Sequence, residues 1–220
     1  MARRTKEEAL ETRNRILDTA ERVFFAKGVA RTSLADIADA AGVTRGAIYW
    51  HFKNKADLFD AIMRRVQMPM EELSARARRA EDDDPLDNVR NCALTVLERV
   101  TTDPQCQRVF EIACHKVEYV DEMEPLRARH VEGRTECLAQ IERGLRAAAK
   151  RGLLAESVNP RLAAIGLHAL VDGLITNWLL DRKYLPMAKA AKPIIDGYID
   201  GLRRRAGAST RELGARKRSA

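Results

Sequence analysis

The chain has few aromatic residues, 5%, and its 7 prolines and 12 glycines are sparse outside the points where helical patterns break, as expected of an all-α protein. Its four cysteines, Cys92, Cys106, Cys114 and Cys137, show no CxxC spacing. Neither a zinc site nor a disulfide framework follows, and free buried thiols are expected. No apolar run approaches membrane-spanning length and no signal peptide opens the chain, so membrane contact is not expected and the cytoplasm is. There is no glycine-rich phosphate loop, no HExxH and no GxSxG. Cys114-His115 does not make up for them, because consecutive helical residues project about 100° apart. No catalytic residue, cofactor or metal is therefore expected, and the chain is read as a non-enzyme.

What is present is enough apolar material for a proper core, 45% hydrophobic in 220 residues, and an uneven charge. Residues 1–65 carry 13 Lys/Arg against 9 Asp/Glu, residues 66–202 carry 19 against 22, and residues 203–220 carry 7 against 1. A basic head on a slightly acidic body suits a protein that puts one end on DNA. The basic tail reads as a solvated, disordered terminus.

Helical signals run throughout. Thr5 with Glu8 makes a capping box for a first helix that carries Ile16, Leu17, Ala20, Val23 and Phe24 and stops at Gly28. Asn54 caps a fourth helix, in which Pro69 predicts a kink or restart near Met68. Residues 81–84 with Pro85 form a loop, Asp103-Pro104 starts a short helix, Pro125 opens a long one ended by Gly152, and Pro160 opens another. Pro186 and Pro193 bracket the start of the last.

The most informative stretch is TSLADIADAAGVTRGAIYWHFKNK, residues 32–55. Ser33 can cap a short helix carrying Leu34, Ile37, Ala38 and Ala41, with Asp36 against the positive helix end. Gly42 turns the chain and Thr44 caps a second helix to about Phe52, pinned on the first by Val43 and Ile48. This is a helix-turn-helix. Arg45 and Thr44 lie at the end of the second helix that enters a major groove, where arginine can pair bidentately with guanine, and Gly46 permits close backbone approach. Tyr49, Trp50, His51 and Lys55 are suited to phosphate oxygens. The expected DNA contacts are Thr32, Ser33, Thr44, Arg45, Gly46, Tyr49, Trp50, His51 and Lys55.

The run AERVFFAKGVARTSLADIADAAGVTRGAIYWHFKNKADLF resembles the DNA-binding domain of the TetR family, with Gly28, Thr32, Ala38, Gly42, Tyr49, His51, Phe52, Lys55 and Leu58 on the family's pattern. The similarity continues less tightly almost to Leu202, including the VDGLI stretch at 171–175, and is nearest to the AcrR-like and TtgR-like repressors of multidrug efflux pumps. It implies a helix-turn-helix domain at 1–53, a ligand-binding and dimerisation domain at 54–205 and a basic tail at 206–220. It implies a homodimer on double-stranded, palindromic operator DNA, released by a small amphipathic or aromatic effector. Carried over by position, the effector site comprises Val66, Val96, Phe110, Glu111, Cys114, Cys137, Ile141, Leu167, His168, Val171, Asp172 and Ile175. Among these Glu111 and Asp172 stand out, since carboxylates among aliphatic residues are costly unless something pairs with them. The dimer face is expected from Ala163, Leu167, Leu170, Leu174 and Trp178 with Ile194, Ile195, Tyr198 and Leu202, which combine that resemblance with apolar spacing. The fourth helix, reaching from Lys55 to Val66, is the expected link between effector and DNA. A TetR-type activator, a repressor of a metabolic operon and a non-selective architectural DNA-binding protein are the competing readings.

Overall fold

The computed structural model describes residues 6–77, 84–118 and 124–203, with 67–77 as backbone alone. Among these residues there are nine helices and no strand: α1 Lys6–Lys27, α2 Leu34–Ala40, α3 Arg45–His51, α4 Lys55–Ala77, α5 Pro85–Thr102, α6 Pro104–His115, α7 Glu124–Lys150, α8 Pro160–Leu180 and α9 Met187–Leu202. Thr5 and the tail from 206 lie outside the described residues, as do 81–83 of the expected loop.

Three helices start by one device. Asp84, Asp103 and Asn159 each stand before a proline at the first helical position and accept from backbone amides of the first turn: Leu86 at 2.8 Å, Gln105 and Cys106 at 2.9 and 3.2 Å, and Arg161 and Leu162 at 2.9 and 3.2 Å. The cap satisfies donors that the helix leaves orphaned, and proline contributes a preset φ where no donor is needed. Stops are as local: Gly28, Gly42 and Gly152 take φ of 84°, 63° and 69°, which a side chain would oppose.

α1, α2 and α3 pack together over Ile16, Leu17, Phe24, Ile37 and Ile48, all fully buried. α4 and α6 join this unit to α5, α7, α8 and α9, and the buried residues form one cluster across the boundary expected at 53/54. α5 lies against α7 so closely that a Cβ on Gly144 would stand 2.5 Å from Cγ2 of Val89.

Four expectations need correction. α4 runs unbroken through Pro69, whose missing amide removes one helical hydrogen bond while the turns on either side keep theirs. Pro193 lies inside α9 rather than at its start. α8 is, by length and composition, apolar enough to cross a membrane; here one side of it packs on α5, α6, α7 and α9. Finally, of the expected dimer face, Ala163, Leu167, Trp178 and Ile195 are buried within their own chain, while Leu170, Leu174, Ile194, Tyr198 and Leu202 are half-buried. The exposed apolar side of α8 is instead Leu162, Ile165, Ala169 and Leu180, and that of α9 runs through Pro193, Gly197 and Gly201.

Candidate nucleic-acid interface and effector region

The DNA-reading pair begins at a closed capping box. Oγ of Ser33 accepts from the Asp36 amide at 3.1 Å, and the Asp36 carboxylate accepts from the Ser33 amide at 2.8 Å and its hydroxyl at 2.7 Å. Those bonds, the hydroxyl's first, hold the Asp36 carboxyl below its ordinary range. Thr44 caps α3 by accepting from the Ala47 amide at 3.2 Å. α3 buries Ile48 and turns Arg45, Gly46, Tyr49 and Trp50 outward, the two aromatics 58% and 73% exposed. Two neighbouring aromatic rings left that open on one short helix are the kind of exposed patch that marks an interaction surface. The Trp50 and His51 rings meet edge to face at 4.5 Å.

Two expected contacts also make bonds within the chain. Thr32 is 1% exposed: its hydroxyl donates to the Gly28 carbonyl at 2.7 Å and its amide to Val29 at 3.3 Å. It fastens the loop between α1 and α2. Lys55, at the start of α4, donates from Nζ to the Ala30 carbonyl at 3.1 Å and so holds the same loop from the other side.

The expected effector residues come from α4 to α8. Val66, Leu167 and Ile175 are buried. Val96 of α5, Phe110 and Cys114 of α6, Ile141 of α7 and Val171 of α8 are only partly buried, although their helices pack on one another. Cys137 is accessible, against the expectation of buried thiols, yet enough protein surrounds it that burial, with Cys92 nearby, pushes its thiol up to about 11. Half-buried His168 is held below its ordinary value by burial, with Asp172 opposing and Arg134 and His130 adding to the shift. Burial also raises the Cys114 thiol, and Asp172 adds to it. Cys114, His168 and Asp172 therefore share one neighbourhood, with Asp172 exposed. Glu111 is not an unpaired carboxylate: Arg182 reaches it at 3.4 Å, its guanidinium 4.6 Å from the Trp178 ring centroid.

Residues 16–62 match the family described as bacterial regulatory proteins, tetR family, and residues 84–204 the C-terminal region of MAATS-type transcriptional repressors. The chain belongs to the TetR family. It is 43% identical to the HTH-type transcriptional regulator TtgR of Pseudomonas putida over 204 residues, 92% of this chain and 97% of that one. Its fold matches the crystal structure of NalD, the secondary repressor of the MexAB-OprM multidrug efflux pump in Pseudomonas aeruginosa, at a TM-score of 0.83 and 34% identity, covering 91% and 100% of the two chains. It matches the SmeT–triclosan complex, SmeT being the repressor of the Stenotrophomonas maltophilia multidrug efflux pump SmeDEF, at 0.80 and 31%, covering 89% and 93%.

Within the TetR domain, sequence reasoning passed over three exposed cations at the edges of the reading pair: Lys27, whose charge acts on Asp36, Arg31 in the loop before α2, and Lys53 before α4. They lie outside the two short helices on which the helix-turn-helix pattern rests. Their signal was the basic head, which gives a total and no address.

Proposed function

We propose that this chain is a transcriptional repressor that sits as a homodimer on a double-stranded, inverted-repeat operator of a multidrug efflux operon in the cytoplasm. It lets go when a small hydrophobic, amphipathic or aromatic effector enters the space between α5, α6, α7 and α8. It is a binding protein and not an enzyme. The observation that carries this reading is the outer face of α3: Arg45, Tyr49 and Trp50 are turned to solvent on a helix fixed by Thr44 and anchored by Ile48. In this reading Arg45 addresses a base edge, while Tyr49, Trp50 and His51 address the backbone alongside. NalD and SmeT, named as efflux-pump repressors, support the operon class, and the triclosan bound to SmeT supports the effector class.

Two symmetry-related α3 helices must enter successive major grooves, roughly 34 to 36 Å apart, which requires a two-fold dimer. The exposed apolar sides of α8 and α9 supply a face for it: Leu162, Ile165 and Leu180 project from one, while Gly197 and Gly201 leave open space on the other. Release follows when the effector prefers the arrangement in which the two α3 helices are misplaced. The half-buried apolar side chains Val96, Phe110, Ile141 and Val171 suit an aromatic skeleton, and His168 and Asp172 its polar end.

Selection from randomised DNA followed by footprinting tests the reading. An inverted repeat with half-sites about one turn apart, vacated on adding triclosan or a related phenol, is the expected result. Uniform coating without a protected site would overturn it.

A further inference from the structure

Glu21 is a buried carboxylate on α1, its side chain 4% exposed. Both oxygens are satisfied from α6: Oε1 accepts from Nε of Arg108 at 2.7 Å, and Oε2 from Nε2 of Gln105 at 3.2 Å. Glu21 falls in the segment matched to the DNA-binding family and its two partners fall in the C-terminal segment, so the cluster spans the two. A second tie lies at the end of α6, where the Val29 amide donates to the Lys116 carbonyl at 2.9 Å. Val29 belongs to the short loop that leads into the Ser33 cap, and Lys55 of α4 holds that loop at Ala30. α6 also carries Phe110 and Cys114 of the effector region.

We propose that Glu21 is a positioning residue that obliges α1 to follow α6, so that a shift of α6 around an effector becomes a shift of the DNA-reading helices; this rests on the effector reading above. A twelve-residue helix moves as a body, and displacement at Phe110 and Cys114 is felt at Gln105 and Arg108 within about two turns. A buried carboxylate cannot be left without its counter-charge, because its desolvation is then uncompensated. Carrying α1 along is the less costly response. α2 and α3 pack on α1 and therefore move with it. The expected fourth-helix route is then one of two: α4 holds the reading domain through Lys55, and α6 holds it through Glu21.

Because coupling is reciprocal, operator binding must be felt at α6, which makes the test independent of the effector's identity. Hydrogen exchange of the full chain is measured with and without the inverted repeat that it selects. In the wild type, operator should slow the amides of α2 and α3 and, roughly fivefold or more, those of α6. Glu21→Gln should keep the slowing of α2 and α3 and lose most of that in α6, and the swapped pair Glu21→Arg with Arg108→Glu should restore it. Should Glu21→Gln not fold, the double variant Glu21→Gln with Arg108→Gln, which leaves no unpaired charge at either position, reads the same quantity. Unchanged slowing of α6 in the variant that folds, or none in the wild type, overturns the coupling role. Absence of any slowing in α2 and α3 of the wild type overturns the operator reading, and the coupling with it.

Discussion

Thr32 uses both of its donors inside the chain, on Gly28 and Val29, and has no hydroxyl left to offer to DNA. Thr32→Val keeps the volume but leaves the Gly28 carbonyl unpaired, so it should cost about 1 to 3 kcal/mol of stability by urea denaturation. The salt dependence of operator binding should stay as in the wild type; a changed slope would return Thr32 to the interface. Arg45 is the opposite case, exposed and with its helix already capped by Thr44. Arg45→Ala should leave stability intact and relax selectivity at one operator position by roughly 1 to 3 kcal/mol, read over an operator library. Lys55→Ala, which also loosens the loop at Ala30, should weaken all sequences alike. Equal loss of selectivity in the two variants would refute the division of labour.

At the scale of elements, α5 and α9 are joined by Asp196, which accepts from Arg90 Nε at 2.5 Å and Lys192 Nζ at 2.6 Å. The Arg90 and Lys192 hydrogen bonds hold its carboxyl at about 2, against an ordinary 3.8. A depressed carboxyl contributes stability that is complete above its unfolded value and is lost as pH falls through the folded one. The melting temperatures of wild type and Asp196→Asn should therefore differ above about pH 4 and converge toward pH 2. Parallel curves across that window would deny the clasp its charge. The helix starts at Pro104 and Pro160 and the stops at Gly28 and Gly152 were legible in the sequence, because cap and turn chemistry act within three or four residues; Pro85, read as part of a loop, is instead the first residue of α5, capped by Asp84. The facing of α8 was not. That helix is apolar nearly all round, so its periodicity could not separate buried Ala163 and Leu167 from exposed Leu162 and Ile165. Glu111 misled for a related reason: its partner Arg182 lies 71 residues away, a distance that no local pattern bridges. The pairing of Glu21 with α6 was hidden in the same way, across 84 and 87 residues.

For the whole molecule, the charge split between head and body fits one end on DNA, and the proposed dimer is a separate matter. Position 197 tests that arrangement. A Cβ there meets nothing within 4 Å in the single chain, and leucine is a better helix former than glycine by nearly 1 kcal/mol. Gly197→Leu should therefore fold at least as well as the wild type, sediment as a monomer and lose operator affinity. A dimer with unchanged affinity would move the interface off α9. The close approach of Gly144 to Val89 has a different reach. It sets the gap between α5 and α7, two walls of the proposed effector space, by means of a residue that has no side chain at all. An alanine there would act as a wedge, prising the walls apart without altering any group that touches a compound. A population exposed to a bulkier drug could thus widen its sensor's repertoire through position 144, and a survey of resistance variants confined to the lining would overlook it.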